Sequence, residues 1–265
     1  MTSQAFIELN NVYKVFTTIR KKKVDGFTAL KDVSLSIKKG EFVSLVGPSG
    51  CGKSTILNLV AGLSFPSAGE VFKEGKQVNR LNVGIGYVTQ DDNLFPWRNV
   101  LENVTYGLEI AGVARKERTE RAQVLIEKVG LKGFENHYPH QLSGGMRKRA
   151  AIIRTLVCDP DIILMDEPFG PLDAQTRTVL QNDLLELWEG TGKTILFVTH
   201  DLVESIALSD RVVVFSSSPG TIKSIYSISL PRPRDVFHIH EAPGFTDLHN
   251  KLWTDIRHEL QSTAL

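Results

Sequence analysis

The sequence predicts an α/β fold with a mainly parallel core sheet, an antiparallel β edge and a helical insert. One sign is a glycine-rich loop, Gly47-Pro48-Ser49-Gly50-Cys51-Gly52-Lys53-Ser54-Thr55, directly after the apolar run Phe42-Val43-Ser44-Leu45-Val46. That strand, loop and helix order is the context of a phosphate-binding P-loop. A second sign follows Asp159-Pro160, where strand and helix patterns alternate: strand 162–165, helix 174–189, strand 194–198, helix 201–208 and strand 211–215. Such alternation predicts parallel strands with helices on both faces. The third is Ile162-Ile163-Leu164-Met165-Asp166-Glu167, an apolar strand ending in two carboxylates, at the sheet end where open α/β folds hold ligands.

Taken in order, Ile7 and Leu9, then Val33, Leu35 and Ile37, alternate as half-buried strands of an antiparallel edge sheet. Between them Arg20 to Gly26 reads as a hairpin tip turning at Asp25-Gly26, either a solvated loop or a contact for anionic lipid headgroups. Lys38-Lys39-Gly40-Glu41 turns into the loop strand, and the helix after Lys53 carries Ile56, Leu57, Leu59 and Val60 to a stop near Gly62. Glu70 to Lys73 reads as another edge hairpin strand, and Val83 to Thr89 as a core strand ending at Gln90. Helical spacing then covers 99–111, 115–129 and 146–158. After Ser216-Ser217-Ser218-Pro219-Gly220, a strand is expected over Thr221 to Leu230, and Pro231-Arg232-Pro233-Arg234 reads as an extended linker. A last amphipathic helix, 245–261, aligns Phe245, Leu248, Leu252, Ile256 and Leu260. The expected division is a domain over 1–230, with its core in 1–90 and 159–230 and a helical subdomain in 91–158, then a linker and helix over 231–265.

Composition excludes several classes. With 265 residues the chain can bury a sizeable core, and 31 basic against 30 acidic residues give no field that argues for a nucleic-acid partner. Cys51 and Cys158 lack metal-like spacing and read as reduced thiols of a cytoplasmic protein. No secretion signal opens the chain, and its apolar runs fall short of the roughly 18 to 20 residues of a membrane span. Any membrane link is therefore expected through a partner.

The loop's chemistry follows from its residues. Glycines let several backbone N–H groups converge on one anion at a helix start, Lys53 reaches the β- and γ-phosphates of a nucleotide, and the Ser54 hydroxyl joins a magnesium shell with Thr55 nearby. Asp166 suits the same shell and Glu167 the base that polarises an attacking water. Leu142-Ser143-Gly144-Gly145-Met146 opens a second helix on an N-cap serine and two glycines, another anion-seeking helix terminus. A P-loop kinase or GTPase gives no account of Ser143 to Gly145, and the guanine-specifying Asn-Lys-x-Asp element is absent.

With these motifs in this order, nearly the whole chain resembles the nucleotide-binding subunit of ATP-binding cassette transporters, a RecA-like P-loop NTPase fold. Met146 departs from the glutamine commonest at that place. The resemblance implies that Gln90 is the Q-loop glutamine, serving both catalysis and magnesium, that Pro168 to Asp173 form the D-loop, and that His200 is a switch histidine working with Glu167 on the γ-phosphate. It implies that Phe16 stacks on adenine. It also implies that two copies face each other head to tail, ATP on the loop 47–55 of one being capped by Ser143, Gly144 and Gly145 of the other, with Asp173 touching the opposite P-loop.

ATP and Mg2+ are the expected ligands. The expected partners are a second copy, membrane-spanning permease subunits and, indirectly, an extracytoplasmic solute-binding protein, with the chain peripheral at the cytoplasmic face of the inner membrane. The segment Asp92-Asn93-Leu94-Phe95-Pro96-Trp97-Arg98 reads as a packed satellite core or, by the resemblance, as a groove for the permease. Leu94 to Arg98, Gly170-Pro171-Leu172-Asp173, Ser209-Asp210-Arg211-Val212 and the Leu230 to Arg234 tail look most like importers of nitrate, sulfonates and taurine. A regulatory domain is not expected after the last helix. The alternative is a soluble cassette ATPase acting on macromolecules, though the two-cassette chain or the zinc and coiled-coil inserts of such proteins are not seen.

Overall fold

The structure, a computed structural model, describes residues 5–20, 23–82 and 84–262. Its six-stranded sheet is built on β3 (Phe42–Val46), buried at all five positions as a central strand of a covered sheet must be. Beside it run β6 (Ile85–Val88), β7 (Ile162–Asp166), β8 (Thr194–Val198), β9 (Arg211–Phe215) and β10 (Ile222–Ser227), in the order β10-β9-β3-β8-β7-β6. Every neighbouring pair from β9 to β6 is parallel, and β10 closes the edge antiparallel.

The period of two along these strands sorts side chains onto two faces. Phe42, Val46, Ile163, Met165, Ile195, Phe197, Val212 and Val214 pack under α5 (Ala174–Trp188), α6 (Leu202–Leu208) and α7 (Phe245–Ser262). Val43, Leu45, Ile162, Leu164, Leu196, Val198, Val213 and Phe215 face α1 (Lys53–Ala61) and a second, antiparallel sheet. That sheet runs β2-β1-β4-β5, from β1 (Ile7–Arg20), β2 (Lys23–Ile37), β4 (Ala68–Lys73) and β5 (Lys76–Gln77). Its inward Ile7, Leu9, Val33, Leu35 and Ile37 are all at most 3% exposed, each such side chain contributing about 1.5 to 3 kcal/mol. α1 ends at Gly62, whose φ of 71° is a left-handed cap and whose added Cβ would meet the Arg80 carbonyl at 2.1 Å.

A third core joins α2 (Val100–Ile110), α3 (Arg115–Lys128) and α4 (Gly144–Leu156) through Val104, Leu108, Ala122, Ile126, Ala150 and Ile153. Asn99 starts α2 with a full capping box, its side chain accepting from Glu102 N–H while Glu102 accepts from its backbone.

Two expectations are corrected. The hairpin does not turn at Asp25-Gly26: these residues pair with Thr18 and Thr17, and the register closes at Arg20 opposite Lys23. The longer register sets Phe16 opposite Phe27, and pairing along the whole strand outweighs the local turn signal. Lys21 and Lys22, the middle of the basic run Arg20 to Lys23 behind the lipid-contact reading, lie outside the described residues, as does Val83 of the expected strand before Gln90. Nor is Pro231 to Arg234 a free linker. Arg234 is 7% exposed and donates to the carbonyls of Ile206, Ala207 and Ser209, while Arg232 pairs with Asp210 and lies over the Trp188 ring. Burial pulls the Arg234 pKa down to about 10, and the carbonyls around it take the place of water. α7 then lays Phe245, Leu252 and Ile256 onto the core it shares with α5 and α6.

Candidate active site

The phosphate loop is held in shape by what surrounds it. Gly52 caps α1 at φ 96°, and a Cβ there would meet Leu30 Cδ2 at 2.6 Å and the Ala29 carbonyl at 2.9 Å. With no side-chain cap, the first N–H groups of α1 stay open to an anion. Lys53 is buried, its ammonium donating to the carbonyls of Gly47 (2.8 Å) and Pro48 (2.9 Å). Cys51 packs beneath it, and burial pushes its thiol pKa up against the pull of Lys53.

Ser54 Oγ donates to Asp166 Oδ1 at 2.9 Å, which joins the loop to the end of β7. Burial raises the Asp166 pKa above the usual carboxylate range; the Ser54 bond and Lys53 oppose this, and the neighbouring Glu167 adds to it. Glu167 takes φ 43°, a left-handed backbone that costs a non-glycine residue energy, and its N–H donates to the Val198 carbonyl. After this sharp turn Glu167 lines the cavity beside the loop, and its Oε2 lies 3.2 Å from His200 Nδ1. The tautomer with a proton on Nδ1 donates to it. A cavity of about 240 Å³ is lined by Phe16, Phe27, Ala29, Ser49, Gly50, Gly52, Lys53, Ser54, Thr55 and Glu167.

Gln90 and Glu167 meet beside Gly170, where an added Cβ would lie 3.6 Å from Gln90 Nε2 and 3.8 Å from Glu167 Oε2. The Gln90 backbone is fixed by Lys148 of α4, whose buried ammonium donates to the carbonyls of Thr89 and Gln90, both at 2.8 Å. Burial lowers the Lys148 pKa to about 8.

Not every expected residue joins this cluster. Ser143, Gly144, Gly145 and Asp173 do not line the cavity. Ser143 caps α4, accepting from Met146 N–H at 3.3 Å, and is exposed together with Gly144. Gly145 lies against α5, where a Cβ would meet Thr176 Cγ2 at 2.7 Å. Asp173 caps α5 by accepting from Thr176 N–H at 3.0 Å, and these bonds hold its carboxyl below the usual range. Sequence reasoning missed Phe27, Lys148 and Arg177. Phe27 was findable once the hairpin register put it opposite Phe16.

The same fold and loop recur in known proteins. Residues 30–170, more than half of the chain, match the family model described as ABC transporter. The chain is 40% identical to an uncharacterized ABC transporter ATP-binding protein, YtlC, of Bacillus subtilis over 257 residues, covering 95% of this chain and 96% of that one. It is 46% identical to the taurine import ATP-binding protein TauB of Yersinia pestis, covering 77% of this chain and 80% of TauB. With the nitrate import ATP-binding protein NrtC of Synechococcus elongatus it shares 43% identity over 93% of this chain and 38% of that longer protein. Among solved structures it is similar, with a TM-score of 0.73 and 36% identity, to a dimeric post-hydrolysis ATP-binding cassette bound to ADP and Pi, covering 84% of this chain and 98% of that one. Likeness that runs through both the phosphate loop and the sheet that carries it leaves one assignment: the chain belongs to the ABC transporter family, as an ATP-binding and ATP-hydrolysing cassette.

Proposed function

We propose that this cassette energises an importer of a small organic or inorganic anion, such as a sulfonate, taurine or nitrate. It works as a head-to-tail pair docked beneath membrane-spanning permease subunits at the cytoplasmic face of the membrane, fed by an extracytoplasmic binding protein. The observation that carries the hydrolytic part is that Glu167 lines the cavity of the loop whose Ser54 bonds Asp166, with His200 3.2 Å from its carboxylate. The cargo class rests on similarity to the taurine and nitrate import proteins. No described helix is long and apolar enough to cross a membrane, so docking on a permease supplies the membrane link in this reading.

The donor set fits magnesium. A half-buried carboxylate whose pKa is raised by desolvation, beside a serine hydroxyl, is an oxygen pair that a hard cation would neutralise. Ser54 and Asp166, with Gln90, would hold that ion, which when bound offsets charge on the β- and γ-phosphates. Lys53 and the open N–H groups of α1 bind the phosphates, and Phe16 and Phe27 offer their faces to the adenine. Glu167 takes a proton from the attacking water, and His200 contacts the γ-phosphate while orienting that carboxylate. The exposed start of α4, Ser143 to Gly145, caps the γ-phosphate held by the second copy. Asp173 meets that copy's P-loop. Closure then depends on an intact triphosphate, and its cleavage lets the pair separate.

The helices of 91–158 act in this account as a subdomain carrying both the capping terminus and the docking loop. Leu94 is buried in their core and Phe95 packs on Tyr106 with ring centroids 4.6 Å apart, yet Trp97 is 71% exposed. Large apolar exposure on an otherwise packed loop suits a partner helix. The test is purification of the full chain from membranes with its complex intact. A multi-span protein should accompany it, and its ATP turnover in vesicles should rise with a solute-loaded binding protein. Isolation with ribosomes or DNA and no membrane protein would favour the macromolecular reading.

A further inference from the structure

α5 grips the segment around His200 at two points one helical turn apart. Arg177 stands in the first turn of α5, its N–H bonded to the Asp173 carbonyl at 2.9 Å. Its guanidinium spans two elements: Nη2 donates to the Leu172 carbonyl at 3.0 Å and Nη1 to Asp201 Oδ2 at 3.3 Å. Asp201 follows His200 and divides its carboxylate. Oδ2 takes the arginine, while Oδ1 caps α6 by accepting from the N–H groups of Val203 (2.9 Å) and Glu204 (3.1 Å). Its own N–H donates to Thr199 Oγ1 at 3.0 Å. One turn further along α5, Gln181 Nε2 donates to the buried Glu204 Oε1 at 2.9 Å.

The residues next to His200 are thus tied to the helix that Asp173 caps. The tie through Arg177 is planar, always charged and two-pronged, a fork that a lysine cannot reproduce. Arg177 Nε is buried without a hydrogen-bond partner among the described residues, a cost the two other bonds must offset.

We propose that Arg177 is a positioning residue that passes the placement of the 168–173 loop to His200, so that His200 and Glu167 are aligned for hydrolysis when that loop is seated against a second copy. This rests on the head-to-tail reading above. Arg177 does not line the cavity beside the phosphate loop. It acts through Asp201, which fixes where the chain leaves His200.

The test uses the purified full chain. Arg177→Ala should lower kcat about tenfold with KM changed less than about twofold, the pattern of a misaligned catalytic group rather than lost binding. Asp201→Asn keeps the helix cap but weakens the ion pair, so it should lower kcat alone. The double variant should be no slower than Arg177→Ala, because both remove one connection. Arg177→Lys, able to reach one acceptor but not both, should recover only part of the rate. In a Glu167→Gln background, which holds ATP, Arg177→Ala should still pair on addition of ATP, as followed by light scattering.

Unchanged kcat, a loss carried by KM, strictly additive losses, or failure to pair once Arg177 is removed would each overturn the inference. Failure of Glu167→Gln to pair with Arg177 in place would instead remove the head-to-tail reading, and this inference with it.

Discussion

The hydroxyl of Ser54 donates to Asp166 at 2.9 Å, which fastens the first helical turn after the phosphate loop to the carboxylate end of β7. Two motifs separated by most of the sheet's connectivity thereby share one hydrogen bond, beside a carboxyl whose burial favours compensation by a cation. Ser54→Ala should weaken magnesium-dependent ATP binding by roughly tenfold or more, the worth of one bond to a charged group. Titration calorimetry with and without magnesium checks this, and an unchanged magnesium dependence would separate Ser54 from the ion.

Phe27 lines the cavity beside the phosphate loop from the strand opposite Phe16, and both rings are about half exposed. A base stacked on an aromatic gains about 1 to 3 kcal/mol, so Phe27→Ala should lower ATP affinity at least about fivefold. Affinity for inorganic triphosphate, which has no base, should be unaffected. Equal losses for both ligands would mean that Phe27 only supports the hairpin.

Glu204 is 4% exposed, and burial pushes its carboxyl from 4.5 up to about 7 against hydrogen bonds from Thr199 and Gln181. Between those values the folded chain holds a proton that the unfolded chain releases. The stability this provides is fully present below about pH 4.5 and is lost as pH rises through about 7. Glu204→Gln keeps an uncharged acceptor for Gln181 at every pH. Urea midpoints measured from pH 5 to 8 should therefore fall more steeply for the unmodified chain, a difference on the order of 3 kcal/mol by the upper end. Parallel curves would contradict the buried-acid account.

Trp97 is 71% exposed beside Phe95, on a loop whose Leu94 is anchored in the helical core. Trp97→Ala should leave the ATP turnover of the isolated chain within about twofold, because such a surface change costs little stability. It should impair solute uptake in the assembled transporter. Normal uptake would remove the loop from permease docking.

The sheet was legible because its strands are short continuous apolar runs that alternate with helices, as strands covered on both faces must be, with Phe42 and Val46 on one face and Val43 and Leu45 on the other. Gly62 was legible as a helix stop because a left-handed cap selects glycine. The hairpin was misread because Asp25-Gly26 is a strong local signal, and pairing along the whole strand overrode it, hiding Phe27. Lys148, Arg177 and Arg234 were not legible as structural cations. Lys148 and Arg234 owe their places to backbone carbonyls from distant segments, and Arg177 to the Leu172 carbonyl and the distant Asp201 carboxylate; no spacing pattern in the chain encodes such partners. Ser143 and Asp173 had recognisable cap chemistry, but the residues they face within one copy are their own helix starts.

Glu167 carries the central claim, that a carboxylate held on a left-handed turn 3.2 Å from His200 activates the water that cleaves ATP. The direct measurement is steady-state ATP turnover by Glu167→Gln at saturating nucleotide, set beside equilibrium ATP binding. Binding should be preserved while turnover falls about 100-fold or more, the loss expected when a positioned base is removed. Turnover near that of the unmodified chain, with binding intact, would contradict the account.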